Sequence, residues 1–260
     1  MRVLITNDDG IDSPGLHALA AVAVQAGHEV VVAAPSWDSS GASASLTAVE
    51  DDGRLCLERR SLPSLGVAEA FAVEAAPAFI VRAAVTGVFG AAPEMVLSGI
   101  NAGPNTGHAI LHSGTVGAAF TAATFCLPAM AVSLVVRSEP RWDAAAAVAA
   151  KALPWVERLE PPTVLNVNVP DVAAAELPSL QRAVLAPFGA VQTTVTERGQ
   201  GYVKLGFSEI AADPDDDSDA GLLARGIPCF TEIRAVQEVG GHPAAKGGPV
   251  VVETHEPTPA

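Results

Sequence analysis

Two adjacent carboxylates, Asp8 and Asp9, stand in the run NDDGIDSPG directly after the apolar stretch RVLIT. Neighbouring carboxylates repel, so a turn that holds both against a ligand needs a cation or a shifted proton affinity. An isolated Asp-Asp-Gly is more often a solvated turn; its place immediately after a buried strand favours a site. The loop PSWDSSGASAS offers the Ser40 hydroxyl, and SGINAGPNTG offers the Asn101 amide oxygen. With Asp8 and Asp9 these are hard oxygen donors, with no His or Cys cluster beside them. Such a set suits Mg2+, Mn2+ or Ca2+ rather than Zn2+ or copper. Taken singly, Ser40 reads as a loop or cap residue and Asn101 as a turn residue.

Ser113, Gly114 and Thr115 lie where a helix should begin. Free N–H groups and two hydroxyls there form an anion site, or simply cap the helix, and both roles are compatible. Asn105 can add an amide donor to the same anion. His108 and His112, in the third polar loop, are secondary candidates for the lining. Together these residues suit metal-assisted phosphoester hydrolysis. The ion polarises the phosphoryl group and acidifies a water, and Asp8 or Asp9 takes the proton. A covalent phosphoryl-Asp8 is the less favoured variant, because metal ligation occupies the oxygens an in-line attack needs.

The elements that must position these residues alternate. Strands are expected at 2–6, 29–34, 95–98, 129–136 and 163–169. Helices are expected at about 14–26, 77–90, 114–126 and 142–158, and short strands within 46–74. Continuous apolar strands alternating with amphipathic helices indicate a doubly wound, mostly parallel α/β sheet. In such sheets ligands bind outside the carboxyl ends of the strands, where strand order reverses. All three polar loops open onto that edge. Beyond about residue 185 the pattern changes to a β-hairpin over 191–207, an acidic loop at 213–219, a short helix and a strand near 227–233. The tail past Glu253 should fray. The division is therefore a core over 1–185 and a C-terminal hairpin and helix extension over 186–260, suited to oligomerisation.

The chain has 260 residues, 49% hydrophobic and 5% aromatic, with a formal net charge of −14 at pH 7. An acidic surface disfavours a nucleic-acid polymer as partner, since that binding needs Lys and Arg to displace counterions. It leaves a small phosphorylated ligand open, because a bound cation inverts the field within one pocket. The three cysteines are scattered, which fits a reduced, cytoplasmic protein. No run of ~20 apolar residues suggests a membrane span. The G-x-G-x-x-G, P-loop and G-x-S-x-G motifs are absent, which disfavours nicotinamide or flavin enzymes, P-loop proteins and serine hydrolases.

The stretches MRVLITNDDGIDSPGLHALA, APSWDSSGAS, LSGINAGPNTGHAILHSGTVGAA and LNVNVP resemble the SurE survival-protein family of nucleotidases, and SDAGLLARGIPCFT echoes it. The resemblance spans nearly the whole chain. It implies a Rossmann-like core holding one divalent metal ion, Mg2+ or Mn2+, on Asp8, Asp9, Ser40 and Asn101. Asn105, Ser113, Gly114 and Thr115 fall at the phosphate side. It also implies hydrolysis of nucleoside 5′- and 3′-monophosphates, and a homodimer or homotetramer that exchanges its C-terminal hairpin and helix. The chain departs from the family pattern at Ser36–Ser39, Ala75–Val81, His112 and Thr121. Those departures keep in view a homologue that binds metal and nucleotide with little turnover. An Asp-Asp loop after a strand also suits a different metal-dependent α/β enzyme such as a deacetylase or a glycosyl-transfer enzyme, against which the anion site at Ser113–Thr115 favours phosphate.

Overall fold

The computed structural model describes residues 1–52, 54–137, 139–187, 191–209, 217–234 and 236. Most of the acidic run at 213–219 and all of the tail past Glu253 lie outside them.

In chain order the elements begin with β1 (Arg2–Thr6), α1 (Pro14–Gln25) and β2 (Glu29–Pro35). The short β3 (Glu50–Asp51) and β4 (Arg54–Leu55) then precede β5 (Leu57–Leu62) and β6 (Val67–Val73). The middle holds α2 (Pro77–Val85), β7 (Met95–Ala102), α3 (Gly114–Thr124), β8 (Ala129–Leu134), α4 (Trp142–Val156) and β9 (Thr163–Val169). The last elements are β10 (Gln181–Arg182), β11 (Val191–Gly199), β12 (Tyr202–Glu209), α5 (Asp219–Ala224) and β13 (Cys229–Arg234).

Nine strands make one sheet in the order β10-β13-β9-β8-β7-β1-β2-β6-β5. The six strands from β9 to β6 run parallel, and β5 and β13 join them antiparallel. The chain builds β1, β2 and β6 outward in one direction, then returns to β7 beside β1 and builds β8 and β9 in the other. The crevice between β1 and β7 is thus the topological switch point.

Alternation along each strand feeds two cores. Val3 and Ile5 pack with α1 and α4, whereas Leu4 packs with α2 and α3. Burial on both faces is why β1, β2 and β8 read as largely apolar runs. Few aromatics are needed because Ala faces let the helices approach closely, as with Ala118, Ala119, Ala122 and Ala123 on α3, all at or below 1% exposure.

Several boundaries differ from expectation, with α3 and α4 ending at Thr124 and Val156 rather than 126 and 158. The second helix stops at Val85 rather than 90, because Gly87 takes a left-handed φ of 88°. Strand β8 ends at Leu134 rather than 136. Strand β7 continues past Ser98 to Ala102, with a register shift between Ser98 and Asn101. That irregularity puts Asn101 inside the strand, paired with Ser133 of β8, rather than in a free loop.

The main sheet crosses residue 185, since β13 pairs with β9 from Thr163 to Asn168. The expected hairpin is present as β11 and β12, which form a separate two-stranded sheet.

Candidate active site

The turn after β1 is closed by Asn7, whose side chain donates to Gly10 O (3.0 Å) and accepts from Gly10 N–H (3.2 Å). This side-chain bridge holds Asp8 and Asp9 at the carboxyl end of the strand. The following loop is tied down as well: Ile11 N–H donates to Pro35 O at 2.9 Å. Helix α1 packs its Gly15 so tightly on β7 that any side chain there would strike the Ile100 carbonyl. The acid turn is thereby pinned against the bulge that carries Asn101.

Asp8 is 3% exposed, and Thr115 holds both of its oxygens. The Thr115 hydroxyl donates to Oδ1, and its backbone N–H donates to Oδ2 at 3.1 Å. The N-terminus of α3 therefore receives the carboxylate of Asp8, the charge sign that a helix start favours. Gly114 makes this approach possible: a Cβ there would lie 2.8 Å from Asp8 Oδ2. Asp9 faces the other wall and accepts from Ala102 N–H at 3.1 Å, one residue beyond Asn101. Asn101 donates its amide N–H to Gly103 O at 2.7 Å, which leaves its Oδ1 as the acceptor end without a hydrogen bond among the described residues.

The serine loop lies over Asp8. Ser39 donates its backbone N–H (2.7 Å) and its hydroxyl (3.2 Å) to the Asp8 carbonyl. Ser40 is exposed and donates its hydroxyl to Asp38 Oδ1 at 2.6 Å, with its N–H on the same oxygen at 2.9 Å.

Electrostatics sets this cluster apart from an ordinary turn. Burial raises the proton affinity of Asp8 against the lowering effect of the Thr115 hydrogen bonds, and Asp38 adds to the rise. Asp9 is pushed up to about 6, first by burial and then by the charge of Asp8, with the Ala102 N–H opposing. Asp38 is held low by its Ser40 hydrogen bonds. Among the described residues no ion pair reaches Asp8, Asp9 or Asp38. A divalent cation fits such an uncompensated acid pair. No three His, Cys, Asp or Glu gather as a metal cluster among the described residues. Of the neutral oxygens expected to join the acids, Asn101 adjoins the Ala102 that bonds Asp9 and could help hold an ion, whereas the Ser40 hydroxyl is turned to Asp38.

The other expected residues divide. Ser113 accepts from Val116 N–H at 3.1 Å as the cap of α3, so its own O–H remains free to donate. Asn105 sits further along the edge, over β8 and β9. Its amide N–H donates to Ser133 Oγ at 2.8 Å, and its backbone is clasped by two asparagines. Asn166 and Asn168 both donate to Asn105 O, at 2.9 and 2.8 Å, and Asn168 Oδ1 accepts from Asn105 N–H at 2.9 Å. His108 and His112 are exposed on the 3-10 turn Gly107–His112, and neither hydrogen-bonds to the acids.

Sequence reasoning passed over Asp38, Asn166, Asn168 and Asp219. Two Asn at i and i+2 in an apolar strand share one face, and buried amides require partners, so that signal was present. Asp219 is fully buried and bonds Gly107 N–H (2.8 Å) and Ala186 N–H (3.0 Å), which couples the start of α5 to the turn before α3. Nothing local in the chain announces that pairing.

Such an architecture, an acid pair and a helix N-terminus meeting at the switch point of a doubly wound sheet, defines a ligand-binding Rossmann-like α/β protein. The family described as Survival protein SurE matches residues 3–189. The 5′-nucleotidase SurE of Xanthomonas campestris pv. campestris is 38% identical over 228 residues, covering 85% of this chain and 83% of the relative. That of Xanthomonas axonopodis pv. citri is 37% identical over 269 residues, covering 96% and 100%. The crystal structure of the SurE protein from Aquifex aeolicus superposes with a TM-score of 0.73 at 27% identity, covering 92% of this chain and 95% of that one. The chain belongs to the SurE family.

Proposed function

We propose that the protein is a metal-dependent phosphomonoesterase that hydrolyses nucleoside 5′-monophosphates, and 3′-monophosphates as well, to nucleoside and phosphate. The observation that carries this reading is the two-point hold of Thr115 on Asp8 beside Asp9, which presents an acid pair at the start of a helix. The names of the relatives support a nucleotide as the substrate.

Asp8, Asp9, Ser40 and Asn101 would hold the ion, Mg2+ or Mn2+, which supplies Lewis-acid polarisation of the phosphoryl group and acidifies water. Thr115 fixes Asp8 in one rotamer, so that carboxylate is preorganised and its oxygens are poorly placed to attack phosphorus. Asp9 is the better proton acceptor, because its Oδ1 has no hydrogen bond among the described residues. The Ser113 O–H, the Gly114 N–H and the second amide N–H of Asn105 are the donors left to bind phosphoryl oxygens as charge shifts. Thr115, placed by sequence among the phosphate ligands, acts through Asp8 in this scheme.

The C-terminal hairpin supports assembly into a homodimer or homotetramer. It stands apart from the main sheet, and Val195, Tyr202 and Val203 are about half exposed. No helix among the described residues is long and apolar enough to cross a membrane, and a cytoplasmic location is part of the proposal. Phosphate release from AMP, GMP and an aryl phosphate, with and without Mn2+, tests the function. Metal-dependent release that disappears in Asp8→Asn is expected; full activity of that variant would overturn the scheme.

A further inference from the structure

We propose that Trp37 is the platform on which the substrate's nucleobase stacks, with Leu111 as a second apolar contact; this rests on the nucleotidase reading. The chain uses aromatic residues sparingly, with only three Trp and one Tyr. Trp155 packs edge-to-face on Phe230 at 4.5 Å, and Trp142 packs against the core. Trp37 has no ring partner among the described residues and is 39% exposed.

A single exposed apolar side chain needs no explanation. Trp37 differs in where its backbone is held. A Cβ on Gly10, the residue after the acid pair, would lie 3.4 Å from the Trp37 carbonyl oxygen. Two residues on, Ser39 bonds the Asp8 carbonyl through both its N–H and its hydroxyl. The indole is therefore mounted on the rim of the acid site.

Leu111 is 65% exposed and lies four residues before the Thr115 that holds Asp8. The Ser43 hydroxyl donates to Leu111 O at 2.6 Å and joins the two loops. The rim thus offers an aromatic face and an aliphatic side chain, while Asp38 beside them is an anion that no basic side chain pairs with among the described residues. A planar, neutral heteroaromatic ring is the ligand that such a rim holds, by stacking rather than by charge.

The experiment compares AMP with ribose 5-phosphate, which carries the phosphoester without the base, in wild type, Trp37→Ala and Trp37→Phe. With Mn2+ supplied, Trp37→Ala should lose about tenfold in kcat/KM for AMP, nearly all of it in KM. Turnover of ribose 5-phosphate should not change, which also shows that the variant is folded, and Trp37→Phe should keep most of the AMP activity. An equal loss on both substrates, or no loss on AMP, overturns the assignment. Wild type that turns over ribose 5-phosphate as efficiently as AMP removes the base platform and leaves the phosphoesterase. Release from neither substrate overturns the reading beneath it.

Discussion

Replacing Asp9 by asparagine should make the metal-free protein more stable at neutral pH while abolishing its activity. The affinity of Asp9 for its proton is pushed from 3.8 up to about 6 by burial and by Asp8. A rise of that size corresponds to about 3 kcal/mol at a pH well above both values. Asp9 is partly open to solvent, which reduces this to roughly 1–2 kcal/mol. The sign follows from linkage. The folded-state value lies above the unfolded one, so the contribution to stability is complete below about pH 4 and is lost as pH rises through about 6. The asparagine amide carries no charge, and its oxygen can still accept the Ala102 N–H. For a chain of this length roughly 2 °C accompanies each kcal/mol, so the variant should melt about 2–4 °C higher near pH 7.5. Differential scanning calorimetry in chelator, repeated down to about pH 4, reads the effect, and the gap should close as pH falls. Mn2+ should raise the melting temperature of wild type and leave that of the variant nearly unmoved. A variant that melts lower at neutral pH, or a gap that ignores pH, would refute the argument that the acid pair stores charge strain.

Three further outcomes are expected. Thr115→Val leaves the buried Asp8 Oδ1 without its hydroxyl donor. Urea denaturation should show a loss of about 1–3 kcal/mol, and phosphate release should fall at least tenfold, whereas Thr115→Ser should retain most of both. Asn168→Leu removes two hydrogen bonds to the Asn105 backbone and should cost about 2–3 kcal/mol by the same measurement, with a raised KM for AMP if Asn105 binds phosphate. Replacing residues 191–209 by a short Gly-Ser linker should leave a folded monomer by light scattering; an unchanged oligomer would locate the interface elsewhere.

Much of the fold was legible along the chain. The largely apolar runs at β1, β2 and β8 require burial on both faces, and that specifies helices above and below a parallel sheet. Gly27 and the Pro14 start set the bounds of α1 to within a residue. That the polar stretches after β1, after β2 and at the end of β7 meet at one edge was legible, because topology brings the carboxyl ends of those strands together. The bulge at Gly99–Ile100 was not legible, since an irregularity in β7 depends on how β8 pairs with it. Nor was the membership of β13 in the main sheet, a pairing between segments some sixty residues apart that β-propensity cannot encode.

Residue types and spacing by themselves determined the chemistry on offer: two carboxylates, neutral oxygens, and a helix start rich in donors. Only the tertiary structure decided how those donors are shared. Gly114 lets α3 come so close to β1 that Asp8 claims the hydroxyl and N–H of Thr115, while Ser113 caps the helix. Asn166 and Asn168 likewise lock Asn105 from a strand that follows it by sixty residues. A hydrogen bond exists only where two groups meet within about 3 Å, and those distances arise from helix–sheet packing rather than from the order of residues along the chain.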